Sequence, residues 1–274
     1  MSDRVSVTIE AGVADVRLNR PDKRNALDGA MFLALAEAGE GLKTEPGLRA
    51  VVLSGEGASF CAGLDFGSFQ QMAGGGDAAS AAAQRGNPGE MVDGRITHLG
   101  QQVAWVWQEV PVPVIAAVHG HALGGGIQIA LGADIRIVHP DAQLSVREIH
   151  WGLVPDMTGT LMLTRLVRPD VAKELTFTGR IVSGTEALEL GLATRLSDAP
   201  REDALALAHE IAGRSPEAVR GTKALFNRLL GEDAAGQLAQ ERQVIRGLIG
   251  SANQIESVMA NFEKRAPVFT DPPV

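Results

Sequence analysis

Alternation of apolar and polar residues opens the chain. VSVTIE at 5–10 and VADVRLN at 13–19 each turn one face to a core and one to water, and Ala11-Gly12 between them predicts a hairpin. The period then changes. Met31, Leu35, Ala38 and Leu42 recur at spacings of four and three, which predicts a helix capped by Asp28 and ended before Pro46. AVVLSG at 50–55 and VIAAVHG at 114–120 are continuous apolar runs, the pattern of strands buried on both faces. Between them a helix from Ile96 carries Leu99, Val103, Val106 and Val110 on one stripe and stops at Pro111-Val112-Pro113. Trp105 and Trp107 in that helix read as packing residues.

After the second buried strand, HALGGG leads into a helix from Gly125 to about Leu131. IRIVHP and AQLSVREI supply further strands, and residues 157–167 a helix. Ser183 and Gly191 bracket another helix, and LATRLS is a short strand. From Glu202 the pattern is wholly helical, with breaks expected near Ser215-Pro216, Gly231 and Gly250 and helices over 217–230, 234–249 and 252–265. The expected class is α/β, with a core over 1–200 and a helical region over 201–274 whose apolar stripes call for packing on the core or on other subunits. Residues 67–94, rich in Gly, Ala, Ser and Gln, lack a sustained period and read as a mobile segment suited to a lid, with a short helix at 78–85.

Composition narrows the function classes. At 274 residues the chain suits one main domain with an extension. A net charge of −8 argues against a nucleic-acid footprint. No run of about 18 apolar residues marks a membrane span, and MSDRVSVTIE does not read as a secretory leader. The single cysteine, Cys61, forms no internal disulfide framework and no multi-cysteine metal site, so a cytoplasmic location is expected. The basic pairs Lys23-Arg24 and Lys264-Arg265 are either anion contacts or solvated surface charges.

The strand–GHALGGG–helix arrangement resembles a phosphate loop, but no Gly-Lys-Ser/Thr follows, and Ile129 stands where a G-x-G-x-x-G would need its last glycine. No G-x-S-x-G elbow occurs. His119 and His121 lack a third ligand at useful spacing, so no metal is expected. Three glycines at a helix start instead permit close backbone approach and present free N–H groups to a developing oxyanion. Cys61-Ala62-Gly63-Leu64-Asp65, also after a buried strand, offers a second donor. Two converging N–H groups suit a thioester enolate, and losing one such donor typically costs on the order of 10²- to 10³-fold in rate.

N-R-P-x-x-x-N-A-L at 19–27, F-C-A-G-L-D at 60–65 and P-V-I-A-A-V-H-G-H-A-L-G-G-G at 113–126, in that order, resemble the enoyl-CoA hydratase/isomerase (crotonase) superfamily. A-D-I-R at 133–136, G-L-V-P at 152–155, L-T-F-T-G-R at 175–180, A-L-E-L-G-L-A at 187–193 and F-x-x-K-R-x-P-x-F at 262–269 extend the resemblance over almost the whole chain. It implies a crotonase-like spiral of ββα units with a C-terminal α-helical trimerisation region, assembled as a homotrimer or a dimer of trimers. It implies an acyl-CoA thioester as ligand, with coenzyme A entering only as part of the substrate. The oxyanion hole falls to the N–H groups of Leu64 and Gly125 beside Gly124. Substrate contacts fall to Gly124 and, on the CoA, to Lys23, Arg24, Ala26, Ala62 and Asp65, with Phe262 and Lys264 reaching the CoA of a neighbouring subunit.

Family hydratases use two glutamates. Here the first position is Gln128 and the second Glu148. An amide can orient water but takes no proton, so the two-carboxylate addition of water is incomplete. Glu148 and Asp156 match positions that carry carboxylates in dienoyl-CoA isomerases of the superfamily, whose third carboxylate position is again Gln128. Double-bond isomerisation is therefore expected, with 2-enoyl-CoA hydration and non-catalytic acyl-CoA binding as alternatives. Structural roles remain open at this point: Asp156 as a helix N-cap, Glu148 as a partner of Arg147 or of another basic group, and Gln128 as an ordinary helix residue.

Overall fold

The computed structural model of the chain describes residues 3–65, 67 and 86–269. The helix expected at 78–85 and most of the expected lid lie outside them. Strands β1 (Val5–Glu10) and β2 (Val13–Leu18) form the expected hairpin, and Ala11 (φ 47°) and Gly12 (φ 80°) are both left-handed, as a two-residue turn matched to strand twist requires. Helix α1 (Gly29–Lys43) follows, and its cap is the predicted one: Asp28 accepts from the Met31 N–H. Strand β3 (Ala50–Gly55), helix α2 (Leu99–Glu109), β4 (Val114–Val118), β5 (His121–Leu123) and α3 (Gly125–Leu131) carry the chain to its middle. Then come β6 (Ile135–Val138), β7 (Gln143–Ser145), a 3₁₀ turn at Glu148–Trp151, α4 (Gly159–Leu166), α5 (Pro169–Thr178), β8 (Val182–Ser183), α6 (Gly184–Leu190) and β9 (Arg195–Leu196). Helices α7 (Pro200–Ala212), α8 (Pro216–Leu248) and α9 (Ala252–Glu263) complete the described chain.

The strands form a six-stranded sheet in the order β1-β2-β3-β4-β6-β9, parallel except for the first pair, and a three-stranded sheet β5-β7-β8. The fold is thus a mixed α/β arrangement of ββα-type units with helices at its C-terminal end. Both faces of the large sheet are covered, which explains the uninterrupted apolar runs of β3 and β4. One face packs Val16, Leu18, Leu53 and Ala116 against Met31, Leu35, Val103 and the fully buried Trp107. Trp105 and Trp107 are both core residues, as expected of packing residues. The other face presents Val52, Ile115, Ala117 and Ile137 to Ala204 and Ala208 of α7. Each large side chain buried in this way contributes about 1.5–3 kcal/mol.

Several expectations are corrected. The break at Gly231 is absent, because α8 runs unbroken from Pro216 to Leu248; an isolated glycine costs a helix only about 1 kcal/mol and, unlike proline, leaves its hydrogen bonds intact. AQLSVREI is a strand only over Gln143–Ser145, since Glu148 opens the 3₁₀ turn. Helix α5 was not predicted, although Pro169 at its first turn and the left-handed Gly179 at its end are its start and stop signals. The short strands β5 and β8 went unrecognised because two or three residues carry no period. Among the described residues no helix is long and apolar enough to cross a membrane.

Candidate active site

Strands β3 and β4 are parallel neighbours, so the loops that leave their C-terminal ends emerge on one edge of the sheet. There the loops join. The Cys61 N–H donates to the His121 carbonyl at 2.9 Å and the Leu123 N–H to the Cys61 carbonyl at 3.1 Å. Two glycines permit this approach: a Cβ on Gly126 would lie 2.2 Å from the Cys61 carbonyl oxygen, and one on Gly63 (φ +86°) 2.5 Å from that of Leu123. On the other flank Leu27 donates to the Gly63 carbonyl (2.8 Å) and accepts from the Asp65 N–H (3.1 Å). Leu64, between those two residues, faces away from that ladder.

The N–H groups of Leu64 and Gly125 have no acceptor among the described residues. Gly125 begins α3, where helix geometry leaves amides free. The Cβ position of Gly63 is only 3.7 Å from the Gly125 nitrogen, so the glycine contacts draw the two donor-bearing loops together.

The carboxylates come from the next unit. Glu148 is buried, and its Oε1 accepts from Gln128 Nε2 at 2.6 Å. A Cβ on Gly124 would stand 3.4 Å from that same oxygen, which puts the carboxyl beside the glycine turn. Its Oε2 has no hydrogen-bond partner among the described residues. Burial pushes the Glu148 carboxyl up to about 7, against the lowering by its own backbone and by Gln128. Asp156 keeps 24% of its side chain exposed. Burial, then the nearby charges of Glu148 and Glu241, push its carboxyl up to about 8.

Gln128 is not an idle helix residue. Its Oε1 accepts from the Met157 and Gly159 N–H groups, both at 2.9 Å, which obliges Nε2 to face Glu148. Glu241, on α8, accepts from the N–H groups of Thr158 (3.1 Å) and Thr160 (3.3 Å) and from the Thr160 hydroxyl (2.5 Å). Gln128 and Glu241 therefore take the four N–H groups of residues 157–160 alternately. The cap position of α4 is Thr158, with no side-chain cap. Asp156 is consequently not the N-cap, and Glu148 has Gln128 rather than Arg147 as its hydrogen-bonding partner.

Lys23 closes a 3₁₀ turn, and Arg24, left-handed at φ 50°, follows it; the Arg24 carbonyl accepts from the Ala62 N–H at 2.9 Å. Lys23, Arg24, Ala26 and Ala62 are thus brought to the edge that carries Leu64. The Asp65 carboxylate is engaged by Arg20 at 2.8 Å and by the Gly67 N–H at 2.9 Å. Phe262 and Lys264 lie at the end of α9, where the Phe262 ring faces Trp151 with centroids 6.2 Å apart and Lys264 is exposed. Burial pushes the Cys61 thiol up to about 12, so it supplies no thiolate nucleophile. His119 bonds the Gly57 carbonyl and His121 the Ser59 hydroxyl. No group of three His, Cys, Asp or Glu side chains among the described residues is placed to hold a metal.

Sequence reasoning missed Glu241 and the buried His98, whose Nε2 lies 3.8 Å from Asp156 Oδ2. Glu241 did leave a signal: it interrupts the buried stripe Ala234, Leu238, Ile245 of α8.

The sequence model of enoyl-CoA hydratase/isomerase matches residues 8–272. The chain belongs to the enoyl-CoA hydratase/isomerase family. It is 34% identical over 268 residues to enoyl-CoA hydratase domain-containing protein 2, mitochondrial, of Mus musculus, an alignment spanning 94% of this chain and 84% of that one. It is 32% identical over 262 residues to the mitochondrial Delta(3,5)-Delta(2,4)-dienoyl-CoA isomerase of Mus musculus, spanning 92% and 77%. The crystal structure of an enoyl-CoA hydratase/isomerase from Mycobacterium paratuberculosis superposes with a TM-score of 0.83 at 27% identity, covering 94% of this chain and 98% of that one. Acyl-CoA processing on a crotonase fold is the activity class this family supplies.

Proposed function

We propose that the protein shifts the double bond of an enoyl-CoA or dienoyl-CoA thioester by proton transfer between carbons. The observation that carries this reading is the carboxyl pair Glu148 and Asp156, raised to about 7 and about 8 with an amide, Gln128, in the third position. Near neutral pH such a pair holds about one proton between its members, so one is equipped to take a proton and the other to give one. The thioester carbonyl accepts from the Leu64 and Gly125 N–H groups, which stabilises the enolate. One carboxylate removes the proton from C2, and that electron pair becomes the C2=C3 bond. In a 3-enoyl chain the C3=C4 pair then takes a proton from the other carboxyl at C4; in a 3,5-dienoyl chain the C3=C4 pair becomes C4=C5 and the C5=C6 pair takes that proton at C6. No water is consumed, and coenzyme A enters only as part of the substrate. Lys23, Arg24, Ala26, Ala62 and Asp65 line the edge by which it approaches.

Gln128 also weighs against hydration. Its oxygen is committed to two backbone N–H groups and its nitrogen to Glu148, so it does not accept a proton from an attacking water. The test incubates the protein with 2-enoyl-, 3-enoyl- and 3,5-dienoyl-CoA of several chain lengths in H₂O and D₂O and weighs the products. A double-bond shift with deuterium uptake and no added water is expected; addition of one water at a comparable rate would replace this reading with a hydratase.

We further infer that the chain works as a homotrimer or a dimer of trimers. On α8 the adjacent Leu225 and Phe226 are 70% and 68% exposed, apolar surface that a subunit contact would cover. Light scattering should return three or six times the 28.8 kDa chain mass, and a monomer would refute the assembly.

A further inference from the structure

His98 is the N-cap of α2, and a histidine in that place is committed to one tautomer. The Gln101 backbone N–H donates to His98 Nδ1 at 3.0 Å. A backbone N–H only donates, so Nδ1 is unprotonated and the proton of the neutral ring is on Nε2. Gln101 is itself fixed from α8. Its Nε2 donates to the Leu238 carbonyl (2.9 Å) and to Glu241 (3.2 Å), while its Oε1 accepts from Arg242 (3.0 Å) and from the His98 N–H (3.3 Å). His98 is only 3% exposed, and among the described residues its Nε2 has no hydrogen-bond partner. The Asp156 Oδ2 lies 3.8 Å from that nitrogen. A movement of about 1 Å closes the gap to hydrogen-bond length.

We propose that His98 is the positioning residue for Asp156: when a thioester fills the site, its Nε2–H hydrogen-bonds the Asp156 carboxyl and holds it in place opposite Glu148. The inference rests on the isomerase reading above. It gives the buried polar network of α2 and α8 a task, which is to deliver a donor of fixed direction to one member of the carboxyl pair. The groups around that pair have distinct effects. Glu148 from the 3₁₀ turn and Glu241 from α8 raise the Asp156 carboxyl, whereas a donor on His98 favours its ionised form. Burial first, and then Arg242 and Arg246 of α8, push His98 itself down to about 4, so the ring stays neutral over the working pH range and keeps the tautomer that its cap requires.

The test uses His98→Asn and His98→Ser, both of which retain an N-cap oxygen for Gln101 and so keep α2 intact while removing the Nε2–H. Asp156 is followed by ¹³C NMR in the full-length protein with labelled aspartate carboxyls, assigned by the signal lost in Asp156→Asn, with butyryl-CoA bound as a thioester that has no double bond to shift. Both His98 variants should move the Asp156 titration upward by about one pH unit. On 3-hexenoyl-CoA they should lower kcat about tenfold with KM little changed, and should displace the matching limb of the pH–rate profile upward. In the Asp156→Asn background the same substitutions should cost nothing further. An Asp156 titration that does not move, or equal losses in both backgrounds, overturns the inference and leaves the isomerase reading standing. A titration that moves while Asp156→Asn turns over at the full rate removes Asp156 from the reaction, and the inference falls with it.

Discussion

Glu148→Gln is expected to lower turnover about 10³-fold and, at pH 8, to make the protein more stable. The two effects have one cause. Glu148 is buried with one carboxylate oxygen unpartnered among the described residues, which suits proton transfer and penalises the charge. The sign of the stability change follows from its carboxyl being raised from 4.5 to about 7. Below about pH 4.5 the group is protonated in folded and unfolded chains alike, and the stability linked to the raised value is fully present. As pH rises through about 7 the folded chain must carry the buried charge, and that stability is lost. Glutamine has no such equilibrium and still accepts from Gln128. Urea unfolding should therefore show the variant more stable by on the order of 2 kcal/mol at pH 8, with the difference shrinking toward pH 5. Kinetics on 3-enoyl-CoA supply the other half, and full turnover in a folded variant would remove Glu148 from the mechanism.

That coupling of activity to instability shows why parts of this site were legible in the sequence and others were not. The two loops could be picked out as N–H donors because the glycines that bring them together are visible as letters, while Leu64 and Gly125 within them were singled out by the family resemblance. Gln128, Glu148 and Asp156 sit in motifs of recognisable order. Their structural alternatives, by contrast, could be settled only in three dimensions. Whether Asp156 caps a helix depends on which groups take the amides of residues 157–160, and these prove to be Gln128 and Glu241. Glu241 lies 83 residues from Thr158 along the chain, a separation that no local period reports.

The same limit applied to the fold. The hairpin, α1 with its Asp28 cap and the buried strands β3 and β4 follow from local pattern and cap chemistry. Gly231 misled because a glycine breaks a helix only where nothing else holds it, and α8 is held through Leu238, Glu241 and Ile245 against the rest of the chain. His98 carried a weak signal as the first member of a capping arrangement with Gln101. Its relation to Asp156, 58 positions on in the sequence, belongs to tertiary structure alone.

Gln128→Glu carries the second large expected effect, because it installs the carboxylate that family hydratases have and this chain lacks. One oxygen of the new side chain should keep the Met157 and Gly159 N–H groups. The other then faces Glu148 Oε1, where a 2.6 Å hydrogen bond now runs. Two carboxylates at that distance cannot both ionise, so the pair must share a proton, and the cost of removing it is paid by the folded state alone. The variant should accordingly match the parent to within about 1 kcal/mol at pH 5 and fall below it by about 2–4 kcal/mol at pH 8. At pH 6 the shared proton leaves one acid and one base on the same face of the acyl chain, the arrangement that adding water needs. Hydration of crotonyl-CoA should rise at least about 10²-fold over the parent, measured by loss of the enoyl absorbance. Should the variant fold, show the expected pH-dependent instability and still add no water, the amide at 128 is not what withholds hydration, and the geometry of the bound thioester must be what selects isomerisation.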